Sequence, residues 1–242
     1  MSTEAAALHA KHPDVEAILV KSIGKFSKFV DLTLPQHKIH KTDKSAGVVI
    51  RTGESGDGTP VPYFICTGTI HPIDAKTVIN ELMLKDYRRH EWCPSWGKST
   101  VVDEWEAETD ELKALLGDTL HVRVYLETTV PVLGGLISAR CFVFAQASWQ
   151  KDGKHWVVIT SADSCLEGNM PAEFTSLPRG TMYVSGTVAQ DKEDGKGCEV
   201  SSLVQTVPGG SIPNWIANKG ISGELTSFFT GVNKVFVEEK KE

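Results

Sequence analysis

Apolar residues recur at Val15, Ile18, Leu19, Ile23, Phe26 and Phe29 with the three-and-four spacing of a single helix face. This predicts an amphipathic helix that ends before Pro35. The pattern then changes to short strand-like runs at 47–51 and 61–70, and Gly53, Gly56, Asp57 and Gly58 between them mark a hairpin turn. The stretch 75–85, with Val78, Leu82 and Leu84, reads as a short helix capped by Asp74. Beyond residue 100, where Trp105 falls in an expected strand, alternation takes over. Val122, Val124 and Leu126 point one way, while His121, Arg123, Tyr125 and Glu127 point the other. The runs 138–150 and 155–164 are rich in β-branched and aromatic residues and are joined by Asp152 and Gly153, a favoured hairpin turn. A further hairpin is expected from 180–190 and 197–207. Helical spacing returns at Ile221, Leu225, Phe228, Phe229, Val232, Val235 and Phe236, with Gly220 and Gly223 marking a break or hinge just before this stripe.

This order predicts one α+β domain in which an antiparallel sheet wraps over the terminal helix. A helix through 221–236 runs ~24 Å at 1.5 Å per residue, longer than the ~15 Å hydrocarbon depth of one leaflet. A cavity beside it is long enough to cover an acyl chain.

The chain has 242 residues, 40% hydrophobic and 23% charged, which excludes a disordered segment. Its net charge of −6 provides no basic footprint, so no nucleic-acid partner is expected. Cys66, Cys93, Cys141, Cys165 and Cys198 are odd in number and form no C-x-x-C pair. Neither a disulfide framework nor a thiolate zinc site follows, and a reducing, cytoplasmic setting is expected. Residues 1–24 carry no apolar stretch behind a basic one, so no secretory leader is expected, and no run of ~20 apolar residues occurs for a spanning helix. Gly97, Lys98 and Ser99 end like a phosphate loop, but Trp92 stands where its first glycine belongs. G-x-S-x-G, H-E-x-x-H and G-x-G-x-x-G are also missing. No catalytic residue, cofactor or metal is therefore assigned. His37 and His40 lack nearby acid or thiol partners and read as a solvated polar segment.

The densest local signal is Pro208-Gly209-Gly210-Ser211-Ile212-Pro213-Asn214-Trp215-Ile216-Ala217-Asn218. It resembles the G-G-x-I-P-x-W-[LI]-x-N entry to the last helix of START lipid-transfer domains. Arg89-His90-Glu91-Trp92 is similar to the family's R-x-x-W, Tyr125-x-Glu127 followed by Pro131 resembles its Y-x-E-x-x-x-P strand end, and Arg140-Cys141-Phe142-Val143 resembles its R-D-[FY]-V strand start. The resemblance implies a helix-grip fold over 36–242, a curved antiparallel sheet around the long C-terminal helix with an internal cavity. Residues 1–35 are expected to form a helical segment packed on that domain.

By the same resemblance the chain is expected to be a non-enzymatic, monomeric carrier. It would enclose one amphiphilic lipid, a phospholipid for preference, and touch membranes only transiently. The implied lipid contacts are Arg89, Trp92, Tyr125, Glu127, Arg140, Phe142, Phe144, Trp215, Asn218, Leu225 and Phe229, with Arg89 on the phosphate as in the phosphatidylcholine-carrying members. In two places the sequence departs from the family pattern, Cys93 and Cys141 standing where an acid normally follows the tryptophan and the strand arginine. An arginine cannot shed its charge, so Arg89 and Arg140 need anions from elsewhere, Glu127 or a lipid phosphate. The uncharged stretch 128–139 is implied to cover the cavity mouth, with Val132, Leu133, Leu136 and Ile137 as the membrane-contact residues. The alternatives are a carrier of sterol or another apolar molecule, and a helix-grip enzyme drawing on His71, Glu127 and Asp163. A partner-regulating module with a filled cavity is a third possibility.

Overall fold

The computed structural model describes residues 8–239 except 33, 35, 36, 84, 85, 117–120, 133, 134 and 136, and omits the side chains of 81–83, 86–88, 214 and 237–239. Pro35, Leu133, Gly134 and Leu136 therefore lie outside the described residues.

The N-terminal stripe forms helix α1 (His12–Phe29), with Pro13 in its first turn. It follows the two-residue strand β1 (His9–Ala10), which pairs with β9 (Leu166–Glu167). Among the described residues, β2 (Lys38–Asp43), β3 (Val48–Gly53), β4 (Tyr63–Ile70), β5 (Trp96–Glu106), β6 (His121–Thr129), β7 (Cys141–Lys151), β8 (Lys154–Ser161), β10 (Thr181–Asp191) and β11 (Cys198–Val207) form one sheet. Its order is β2-β3-β4-β11-β10-β8-β7-β6-β5, with every neighbour antiparallel. The expected hairpins β3–β4, β7–β8 and β10–β11 are present, and Asp152 and Gly153 turn the second of them with φ of 51° and 71°. Register shifts in β2, β5 and β10 mark bulges, which bend a sheet.

Three elements depart from the periodicity. The polar run around His40 is solvent-exposed as expected, but it also forms edge strand β2, with His40 edge-on to Phe64. The helix expected at 75–85 is only α2 (Ala75–Thr77), capped by Asp74, whose carboxylate accepts the Thr77 N–H at 2.6 Å. It continues as the π-helical turn Val78–Met83 and the 3-10 turn Asp86–Glu91. A short helix, α3 (Asp110–Leu116), closes the β5–β6 connection. After the single turn α4 (Ala172–Thr175), the terminal helix α5 spans Asn214–Glu239 and passes through Gly220 and Gly223 unbroken.

Strand alternation gives the sheet two buried faces. On one, Val122, Val124, Val143, Ala145, Ala147 and Val158 meet Val15, Leu19, Ile23 and Phe26 of α1. On the other, Ile50, Cys66, Phe142, Phe144, Val157 and Ile159 belong to a separate core with Leu225, Phe228, Phe229 and Val232 of α5. One helix therefore covers each face, and the space beneath the first half of α5 is incompletely filled.

Candidate functional site

That space is a cavity of about 320 Å³, within the range of small-molecule sites. Its floor includes Phe142, Phe144 and Ile159, and α5 contributes Ile216, Ala217, Gly220, Ile221, Glu224, Leu225 and Phe228. A Cβ built on Gly220 would meet nothing within 4 Å, so this glycine leaves room beside the helix. Val132 and Ile137 bridge each other and line the cavity with Pro208 and Ile212. The backbone reaches α5 through Gly209 and Gly210, with φ of 72° and 68°. A side chain at Gly209 would collide with the Arg179 carbonyl, which explains the glycines in the sequence signature.

Four charged side chains line the wall: Arg89, Glu127, Arg140 and Glu224. Arg89 Nη1 donates to Glu127 Oε2 at 2.7 Å, and the Ser99 hydroxyl approaches the same oxygen at 3.5 Å. The position at which a lipid phosphate was expected is thus engaged by a carboxylate of the protein. Arg140, 7% exposed, is held differently. Its Nη1 donates to the Ser138 carbonyl and hydroxyl, each at 2.6 Å, and to the Ala139 carbonyl at 3.2 Å. Its Nε is buried without an acceptor, and among the described residues no carboxylate lies within ion-pair distance. Of the two arginines that needed an anion, Arg89 is the one that takes Glu127, because the 3-10 turn Asp86–Glu91 brings it to that carboxylate.

Glu224, which sequence reasoning passed over, projects from α5 towards Cys93 and Ser95. Burial raises its pKa, and the Ser95 and Cys93 contacts with the charge of Arg89 offset this only in part. Its signal was available, since a carboxylate at 224 sits within the apolar stripe of Ile221, Leu225 and Phe228. Burial likewise raises the Cys93 thiol. Trp92, 5% exposed, also lines the cavity, and its Nε1 is buried without a partner. Elsewhere on the wall the hydroxyls of Thr187 and Ser202 bond to each other at 2.9 Å.

Of the expected lipid contacts, Arg89, Trp92, Glu127, Arg140, Phe142, Phe144 and Leu225 are brought together around this cavity. The other four are not. Tyr125 is fully buried behind Phe144, with ring centroids 5.4 Å apart. Phe229 is fully buried under α5 against Gly68. Asn218 is half-buried outside the lining, and Trp215 points outward, 69% exposed. Of the expected membrane-contact residues, Val132 and Ile137 are half-buried and line the cavity, and Leu133 and Leu136 lie outside the described residues; the neighbouring Val130 is exposed. The acid–base candidates are not assembled either. His71 contacts the Lys196 carbonyl, Asp163 pairs with Arg179 at 3.3 Å, and Glu127 is engaged by Arg89. Among the described residues no cluster of three or more His, Cys, Asp or Glu is arranged to hold a metal, and no helix is long and apolar enough to cross a membrane.

A curved antiparallel sheet gripping a terminal helix around a cavity defines a helix-grip protein. The START domain family model matches residues 55–242, and the chain belongs to that family. Human StAR-related lipid transfer protein 5 is similar in structure, with a TM-score of 0.70 at 17% identity over 94% of this chain and 98% of that one. Human STARD10 gives a TM-score of 0.63 at 12% identity over 100% and 86% of the two chains. A STAR-related lipid transfer protein fragment from Xanthomonas axonopodis gives 0.60 at 15% identity over 82% and 97%. At these identities the likeness is one of fold. A comparison with curated proteins finds no match.

Proposed function

We infer that the protein is a non-enzymatic lipid carrier that encloses one amphiphilic lipid in this cavity and moves it between membranes. The observation that carries this reading is the cavity itself, apolar over most of its wall and lined at one part by buried charged groups. Membership of the START family and the names of the structural neighbours support it. The apolar wall supplies most of the affinity, at ~25 cal/mol per Å² of apolar surface removed from water. The charged groups orient the head, and a phospholipid is favoured over a sterol because one guanidinium on the wall, that of Arg140, has no carboxylate within ion-pair distance among the described residues.

Membrane contact belongs to the same face. Trp215 and Val130 are exposed and adjoin in sequence the lining residues Ile216 and Thr129, and an aromatic ring suits a membrane interface. The test is transfer of labelled phosphatidylcholine, and separately of labelled sterol, between vesicle populations. Transfer of phosphatidylcholine above the spontaneous rate is the expected result. Transfer of sterol alone would overturn the phospholipid preference, and transfer of neither would overturn the carrier reading.

A further inference from the structure

We propose that Arg140 forms the head-group subsite, and that the cargo is an apolar chain or chains bearing an anionic oxygen group, a phosphate or a carboxylate, which sits on Arg140. This deepens the carrier reading and rests on it. It also shifts the head-group contact from Arg89, the residue favoured by family resemblance, to a residue whose ionic partner is missing in this chain.

The charges on the cavity wall are paired unequally. Arg89 is matched by Glu127 at 2.7 Å. Glu224 lies against the Cys93 thiol, 3.8 Å from its sulfur, and among the described residues it makes no ion pair with Arg140. Arg140 therefore keeps a full positive charge that no described side chain neutralises, although it is 7% exposed. Its three acceptors, all from Ser138 and Ala139, are uncharged and gather on a single nitrogen, Nη1. Nε remains a buried donor without an acceptor. A guanidinium stays protonated in any protein setting, so neutralisation by proton loss is unavailable to it. Burying a charge is tolerated when it is paired and hydrogen-bonded. The missing pair is a negatively charged oxygen, and the open side of Arg140 is the cavity.

Position supports the same assignment. Ser138 and Ala139, which hold Arg140, directly follow the lining residue Ile137, and Gly210 on the way into α5 lies next to its Nη2. A head group at Arg140 leaves Phe142, Phe144, Ile159 and Phe228 for the chain. The unpartnered Trp92 Nε1 is a second donor on this wall and suits an ester or hydroxyl oxygen of the same ligand.

The test compares probes that differ only in charge. Lipid-stripped protein is titrated with a fluorescent long-chain carboxylate and the alcohol of the same chain, then with phosphatidic acid and diacylglycerol of identical acyl composition. Inorganic phosphate alone forms a third arm. A hydrogen-bonded charge predicts binding of each anionic probe about tenfold to a hundredfold tighter than its neutral counterpart. Inorganic phosphate should show no measurable binding at millimolar concentration. In Arg140→Gln the ratio within each pair should fall close to one. If that variant does not fold, the wild-type ratios decide the matter. Equal affinity for charged and neutral probes would overturn the anionic subsite and leave the carrier reading standing. Inorganic phosphate binding as tightly as phosphatidic acid would make Arg140 a free-anion site and also overturn the proposal. Failure of every lipid probe to bind would remove the carrier reading itself.

Discussion

Replacing Glu127 with Gln preserves the shape of the side chain and removes its charge. In the folded protein its carboxylate and the Arg89 guanidinium are 2.7 Å apart, with side-chain exposures of only 8% and 16%. Breaking a buried pair from one side costs about 3–5 kcal/mol, because the surviving charge is left uncompensated. Two features reduce that figure. The Gln carbonyl still accepts from Arg89, and Glu224 is close enough to feel the arginine's charge. A loss of about 2–3 kcal/mol is therefore expected. At about 2–4 °C per kcal/mol for a chain of this size, the unfolding midpoint should drop by about 4–12 °C. Circular dichroism on the lipid-stripped protein measures this directly. Phosphatidic acid should recover more of the midpoint in the variant than in wild type, because the ligand now has a second unmatched cation to engage. A midpoint within about 1 °C of wild type would place the pair in the class of solvated surface bridges and refute the account of Arg89 as internally neutralised.

Three further outcomes follow from the rest of the fold. The fully buried Glu16 carboxylate accepts from Trp105 Nε1, the Glu108 and Thr109 amides and the Thr109 hydroxyl at 2.6–2.9 Å. Glu16→Gln turns an amide donor towards donors, so a loss of about 2–4 kcal/mol is expected, and hydrogen exchange should show faster opening in α1 and around 105–109. Burial opposes charge on His12, but bonds to Asp103 and Glu108 outweigh it and raise its pKa above 6.5. Its stabilisation is then complete below that unfolded value and lost as pH rises through the folded one. Midpoints measured upward from pH 6.5 should fall by an amount that His12→Gln abolishes. Gly220→Phe places a ring in the open space beside α5 and removes a helix-weakening glycine. Lipid occupancy by mass spectrometry should fall severalfold while the unfolding midpoint is unchanged or higher.

The elements readable in the sequence are those whose burial leaves a period. α1 and the second half of α5 each bury one stripe, and the three hairpins carry alternation with turn residues between. β2 was not readable because its side chains are exposed along nearly all of an edge strand, so no face is marked by apolar residues. The first turns of α5 were hidden by Gly220 and Gly223, whose low helix propensity is overridden where Ile216, Ala217 and Ile221 face the cavity. The family resemblance pointed to Glu127, Arg140, Phe142 and Phe144, and two-residue alternation along β7 accounts for the last three sharing the cavity wall. Alternation could not tell which arginine meets Glu127, because a face does not fix a partner. That choice is made by the turn Asp86–Glu91, which folds across from a distant part of the chain. Trp215 and Phe229 came from the helix-entry signature and the apolar stripe. One faces outward and the other packs under the helix, directions that depend on where α5 lies on the sheet.

The carrier account is tested most directly by native mass spectrometry of the purified protein, followed by organic extraction and identification of the released molecule. The account predicts one lipid per chain, bearing a phosphate or carboxylate. A protein that arrives empty, and stays empty after incubation with vesicles of mixed phospholipids, fatty acids and sterol, would contradict it.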